Sequence, residues 1–280
     1  MWNGTPYTAS QKDASSIDLL VDRLPGSGEN GLILLSDVFS AHTQDIGILA
    51  APSGSGKTRS VLEFLSLKWG IYFVTTTEGN GGSEDFSHVI GTVMKECRNV
   101  PDSDNEVVVW SKFSKLLYVR LLILSRLLEI KPGLTPFQWL LLQLYPNNYF
   151  GKDVFSLASS NVLNLDVGPD ELNPFNYALE SRINEKLFVF IDEAQEMVKK
   201  VGPFVSEKDG NGLRQQRPLF SPVSRFFKGL FKTFFVGTGI EMLKSLSWAS
   251  NAMKKVKFST EAISLGYFDA SVAWDHYVGK

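Results

Sequence analysis

The stretch Ile46-Gly-Ile-Leu-Ala-Ala-Pro-Ser-Gly-Ser-Gly-Lys-Thr58 constrains this chain more than any other. It reads as a short buried strand, a Gly/Ser loop, and then a helix over residues 59–68. Gly54 and Gly56 can turn backbone N–H groups inward as an anion nest, because glycine reaches positive φ without a Cβ clash. Lys57 adds a point charge for β- and γ-phosphates, and the Thr58 hydroxyl is a ligand for Mg²⁺. The helix aims its positive N-terminal end at the same place. Ser53, Gly54, Ser55, Gly56, Lys57 and Thr58 are therefore the expected triphosphate binders. The pattern G-x-x-x-x-G-K-[ST] has glycine at its first position, where this chain has Ala51. Alanine favours extended backbone over positive φ, so the chain should run extended into the loop.

A second motif supports the first. Lys186-Leu-Phe-Val-Phe-Ile-Asp-Glu-Ala-Gln195 carries five apolar residues followed by two acids. This is a buried strand that delivers carboxylates at its C-terminal edge, where open α/β sheets bind ligands. Asp192 takes the Walker B position and holds Mg²⁺ through water. Glu193, one residue on, is the expected general base that polarises an attacking water. A third strand, Thr233-Phe-Phe-Val-Gly-Thr-Gly239, ends in a small polar turn. Beside the loop strand it would bring Thr238 to the γ-phosphate as a sensor.

The chain order is loop strand, helix, second strand (70–75), acid-bearing strand and sensor strand. It predicts a three-layer α/β P-loop NTPase with a parallel sheet, AAA- or STAND-like, with an extra strand between the two Walker strands. No Asn-Lys-x-Asp motif occurs, which favours ATP over GTP. Thr58 and Asp192 stand 134 residues apart, whereas one or two crossover units need roughly 50 to 60. A mostly helical insertion is therefore expected at about 78–185, opening with the flexible Glu78-Gly-Asn-Gly-Gly-Ser83. A helix over 86–98 follows. Ser103-Asp-Asn-Glu106 reads as a capping box for a long helix to Lys131, with Trp110, Phe113, Leu117, Leu121, Leu124 and Leu128 on one apolar stripe. Thr135-Pro-Phe-Gln138 is a second capping box, for a short helix that stops at Pro146. The insertion is expected to be structural or partner-facing. A helical lead-in at 1–44 and a tail at 271–280 flank a core over 45–270.

Composition narrows the class. The chain has 280 residues, 44 % of them hydrophobic, and a formal net charge of −2, so no global field draws it to nucleic acid or membrane. A single cysteine, Cys97, excludes an internal disulfide and fits a reducing compartment. His42, His88 and His276 lie far apart, which argues against zinc. Met1–Ser16 is polar, without the apolar stretch of a secretory leader. The longest apolar run, 107–130, is interrupted by Lys112, Lys115, Arg120 and Arg126, so it reads as a helix of a soluble fold. Charge is uneven: residues 210–260 hold nine cations against the single acid Glu241, with Phe220, Phe226, Phe227 and Phe231 interleaved. Three uses stay open for that segment. They are nucleic-acid contact, a Pro222-initiated amphipathic helix with core phenylalanines and solvated cations, and an arginine finger from Arg217 or Arg225.

Together, Pro-Ser-Gly-Ser-Gly-Lys-Thr-Arg59, Trp69-Gly-Ile-Tyr-Phe73, Phe-Ile-Asp-Glu-Ala-Gln195 and Phe-Val-Gly-Thr-Gly-Ile240 resemble the P-loop ATPase domain of Crinkler-type proteins of oomycetes and fungi. The retrotransposon-hot-spot proteins of trypanosomes look similar. The resemblance spans roughly residues 45–270. It implies an ATP- and Mg²⁺-dependent ATPase module that regulates a partner or a nuclease domain, acts as a homo-oligomer or with a partner protein, and works inside the cell, in cytoplasm or nucleus. Effector delivery into host cells is implied by the family alone. The chain departs from the family in having no Leu-x-Leu-Phe-Leu-Ala-Lys header. Its one Glu-x-Lys, Glu129-Ile-Lys131, sits at the end of an expected helix rather than in a nuclease strand. A complete C-terminal lid is not expected either. Two alternatives stand beside the ATPase: a nucleotide-dependent interaction switch with little turnover, and a nucleic-acid-binding module that uses 210–260.

Overall fold

The computed structural model describes residues 46–76, 81–161, 167–205 and 216–238. Strand β1 (Ile46–Ala51) leads into helix α1 (Lys57–Leu67), and β2 (Gly70–Val74) follows. Helices α2 (Asp85–Glu96), α3 (Asn105–Ile130), α4 (Pro136–Leu144), α5 (Pro146–Phe150), α6 (Val154–Asn161) and α7 (Pro169–Ile183) come before β3 (Phe188–Asp192). The chain then forms α8 (Gln195–Lys199), β4 (Val201–Val205), β5 (Gln216–Pro218), α9 (Phe220–Phe227) and β6 (Lys232–Thr238).

Four strands make one parallel sheet in the order β1-β6-β3-β2. The strand between the two acid- and loop-bearing strands in sequence, β2, lies at the sheet's edge. The strand between them in space is β6. Each strand is apolar on both sides, as a sheet covered on two faces requires. Tyr72, Val74, Phe188, Phe190, Phe234 and Val236 face α1 and α4, whereas Ile71, Phe73, Val189, Ile191 and Phe235 face the cluster built with α2, α3 and α9. The phenylalanines serve this packing: Phe190 stacks on Phe234 across neighbouring strands at 5.2 Å, and Phe64 meets Phe188 edge-on at 4.9 Å.

Among the described residues, the edge strand β2 is met by side chains rather than by another strand. Trp139 Nε1 donates to the Gly70 carbonyl at 2.7 Å, and Gln143 takes the Tyr72 N–H at 3.0 Å while donating to the same carbonyl at 3.2 Å. These bonds occupy two of the backbone groups that an open strand edge would otherwise offer to a foreign strand. Gly70 is required there, since a Cβ would lie 2.8 Å from the Phe188 carbonyl oxygen and 2.5 Å from Leu65.

Several expectations need correction. The Ser103–Glu106 capping box does not form. Ser103 instead donates to the Asp104 carboxylate, residues 102–104 make a 3₁₀ turn, and α3 begins at Asn105 without a side-chain cap. Trp110 leaves the α3 stripe and is 37 % exposed, because Val109, about 100° away around the helix, takes the inward place. Arg120, one of the four charges that interrupt the apolar run 107–130, is fully buried. The antiparallel pair β4–β5 was not anticipated. By contrast, the Thr135/Gln138 capping box forms as read, with reciprocal bonds of 3.2 and 3.3 Å.

Phe220, Phe226, Phe227 and Phe231 are all buried, which supports the amphipathic-helix reading of that part of the basic segment. The helix starts two residues before Pro222, at Phe220. Arg225 pairs with Glu106 at 3.2 Å, so it is tied to α3. The rest of 210–260, the lead-in at 1–44, the tail at 271–280 and the start of the loop at 78–83 lie wholly or largely outside the described residues. Among the described residues, no helix is long and apolar enough to cross a membrane.

Cys97 is 1 % exposed, its thiol facing the Asn105 carbonyl, and burial, aided by Glu96, pushes its pKa up to about 11. At pH 8 roughly one thiol in a thousand would be thiolate, against about one in four when unfolded. Alkylation should therefore be at least ~100-fold slower in the native chain than in urea, as a thiol-reagent time course would show; equal rates would contradict this burial.

Candidate functional site

The site lies at the C-terminal ends of β1, β6 and β3. β1 runs extended through Ala51, which explains why alanine suffices where the pattern has glycine. Ala51 pairs in register with Thr238, the last residue of β6, so the sensor candidate sits beside the mouth of the loop. The turn follows at Gly54 (φ 78°) and Gly56 (φ 82°), both in the left-handed region where a side chain would be strained. Gly56 caps α1, and its carbonyl accepts from Ser60 N–H at 2.9 Å. Ser53 and Gly54 are exposed at the tip, and Ser55 and Gly56 are half-buried.

Lys57 is the first residue of α1 and only 6 % exposed. Its ammonium donates to the carbonyls of Ala51 (2.8 Å) and Pro52 (2.7 Å), with Ser55 Oγ at 3.4 Å. The lysine is thus folded over the loop's own concavity. Burial pulls its pKa below the usual lysine value, while the charges of Asp192 and Glu193 act against that shift.

Thr58 Oγ1 donates to Asp192 Oδ2 at 2.8 Å, which brings the two distant motifs into direct contact. Asp192 is 3 % exposed. Its Oδ2 also accepts from the Tyr72 hydroxyl at 2.9 Å, and its Oδ1 accepts from the Glu193 N–H at 2.9 Å. Burial raises the Asp192 pKa, and these three donors oppose the rise by stabilising its charge. The Tyr72 phenol, buried and facing that carboxylate, is held well above its ordinary pKa and so stays a donor.

Two adjacent oxygens, a hydroxyl and a carboxylate, suit a hard cation that keeps most of its ligands as water and phosphate. Among the described residues, no group of three or more His, Cys, Asp or Glu could hold a metal by themselves.

Glu193 is one of two non-glycine residues at positive φ (55°) among those described. Its backbone is pinned on both sides: the carbonyl accepts from Thr75 Oγ1 at 2.6 Å, and the next N–H, of Ala194, donates to the Val236 carbonyl at 2.8 Å. Such strain concentrates where a side chain must be aimed. The carboxylate accepts from Gln195 Nε2, and Gln195 Oε1 accepts from the Thr238 N–H at 3.1 Å. On its other flank, Glu193 borders a cleft of about 710 Å³ lined also by Thr75, Thr76, Ser87 and Arg98.

The structure therefore gathers Lys57, Thr58, Asp192, Glu193 and Thr238 at one sheet edge. Sequence reasoning passed over Tyr72, Thr75 and Gln195, whose partners lie 120, 118 and 43 residues away in the chain. Tyr72 and Gln195 stood inside the motifs quoted above, but nothing local assigned a role to them or to Thr75. No family model, curated protein or solved structure matches this chain.

Proposed function

We propose that this chain binds ATP with Mg²⁺ in the loop 51–58 and hydrolyses it. The observation that carries the reading is the Thr58–Asp192 hydrogen bond, which joins the loop and the acid-bearing strand at the open end of a parallel sheet. The strand order, with β6 between β1 and β3, supports a P-loop NTPase of the AAA or STAND type. The four motifs that resemble Crinkler-type ATPase domains point the same way.

Each residue has a defined task. The N–H groups around Gly54 and Gly56, with the N-terminus of α1, bind phosphate oxygens. Lys57 exchanges the Ala51 and Pro52 carbonyls for β- and γ-phosphate oxygens, a stronger acceptor set for an ammonium. Thr58 and, through water, Asp192 would hold Mg²⁺, which when bound would neutralise charge developing on the phosphates. Glu193 takes the proton of the attacking water. Thr238, next to Ala51, reaches the γ-phosphate by its hydroxyl. The rate gain comes from positioning and charge compensation rather than a covalent intermediate.

Phosphate release from ATP, measured with Mg²⁺ and with excess EDTA, tests the reading. Turnover that requires Mg²⁺ and falls by about 10² to 10⁴ in Glu193→Gln is expected. Undiminished turnover in that variant would remove Glu193 from its role.

A further inference from the structure

We propose that Gln195 is the positioning residue of this site: its amide aims the Glu193 carboxylate and ties it to the end of β6. The proposal rests on the hydrolase reading above. Gln195 is 5 % exposed, and both ends of its amide are used. Nε2 donates to Glu193 Oε2, and Oε1 accepts the Thr238 N–H at 3.1 Å. One partner can only accept and the other can only donate, so the orientation of the amide is fixed by chemistry.

The bridge has a reason to exist. The backbone of Glu193 is already immobilised by Thr75, by the Asp192 carboxylate and by the Ala194–Val236 bond, so side-chain torsions are the remaining freedom. The buried Lys57 ammonium feels the charges of both Asp192 and Glu193, so it attracts that side chain. A carboxylate drawn onto Lys57 would neutralise the phosphate-binding cation and withdraw the base from water at the same time. Gln195 supplies a competing donor that is neutral and does not titrate. It also makes the base sensitive to β6: a shift of Thr238 toward a phosphate pulls on Oε1, and the rigid amide carries that shift to Glu193. This resembles a second-sphere partner orienting a reactive ligand, whose loss typically costs about 10- to 100-fold.

The test is a double-mutant cycle with Gln195→Met, close in volume but without hydrogen bonds, and Glu193→Gln. Steady-state ATP hydrolysis is measured for the full chain, the two single variants and the double. Gln195→Met should lower kcat about 10- to 100-fold with KM for ATP within about threefold. In the Glu193→Gln background the same change should have no further effect, because the residue acts through the carboxylate. An unchanged kcat, or an equal loss in both backgrounds, would overturn the proposal while leaving the hydrolase intact. Wild-type chain with no turnover would overturn the hydrolase reading and this role with it. Should Gln195→Met fold poorly, Gln195→Asn keeps the amide but is one methylene too short to span both partners, and the same split in kcat without KM is expected. Hydrogen exchange at the Thr238 amide checks the bridge itself: protection present in wild type should fall at least ~10-fold in Gln195→Met, and unchanged protection would contradict the bridge.

Discussion

Replacing Arg120 with leucine should cost this fold about 3 to 5 kcal/mol, the range for a buried ion pair that loses one partner. Arg120 lies in the middle of α3, and both it and Asp85 have side chains with no exposure. The pair is bidentate, with Nε on Oδ2 at 2.7 Å and Nη2 on Oδ1 at 2.8 Å. The guanidinium also stacks over Phe155 at 3.8 Å and near Phe73 at 5.1 Å, so one cation fastens α3 to α2, α6 and the sheet. Leucine fills part of the volume but leaves the Asp85 carboxylate charged, dry and without its cation. At roughly 2–4 °C per kcal/mol for a chain of this size, the melting point should fall by about 10 °C. A urea titration measures the loss. Arg120→Leu with Asp85→Leu should recover most of it, since an apolar pair replaces a buried ionic one at little cost. A single variant as stable as wild type would contradict the pair's structural role.

Glu193→Gln should reduce ATP turnover by about 10² to 10⁴, the contribution of a positioned general base. The substitution keeps the side chain's shape and its ability to accept from Gln195 Nε2. It removes the carboxylate proposed to take the proton of the attacking water. Binding of Mg·ATP should stay within a few-fold of wild type, because Lys57, Thr58 and Asp192 are unchanged. Rapid-mixing measurements under single-turnover conditions separate the two effects: normal ATP capture with a slowed hydrolysis step is expected. Undiminished hydrolysis would assign the base elsewhere in the site.

The central sheet and the loop were legible because their signals are local. Gly54, Gly56, Lys57 and Thr58 occupy six contiguous positions with Ser53 and Ser55. The strands at 46–51, 188–192 and 232–238 are short apolar runs whose ends carry small or acidic residues. The Thr135 capping box was legible for the same reason, as all of its bonds span three residues. What could not be read depends on partners far along the chain. Arg120 read only as a charge breaking an apolar run, and its buried partner, Asp85, lies 35 residues earlier. Gln195 stood in the sequence only as the last residue of the Phe-Ile-Asp-Glu-Ala-Gln motif, and its role comes from Thr238 at the end of another strand. Ser103 had the spacing of a cap, but its hydroxyl found the adjacent Asp104 carboxylate instead of the helix. Periodicity likewise placed Trp110 on a face that Val109 fills.

Titration calorimetry of Mg·ATP into wild type and Lys57→Ala is the most direct measurement. Lys57 reaches the loop carbonyls at 2.7 and 2.8 Å, and in the proposed function its ammonium exchanges them for phosphate oxygens. Saturable one-to-one binding by wild type, weakened by at least ~100-fold in Lys57→Ala, is predicted, a loss of roughly 2.7 kcal/mol or more. Equal affinity in the two proteins, or no binding by wild type, would contradict the assignment of residues 51–58 as the nucleotide site.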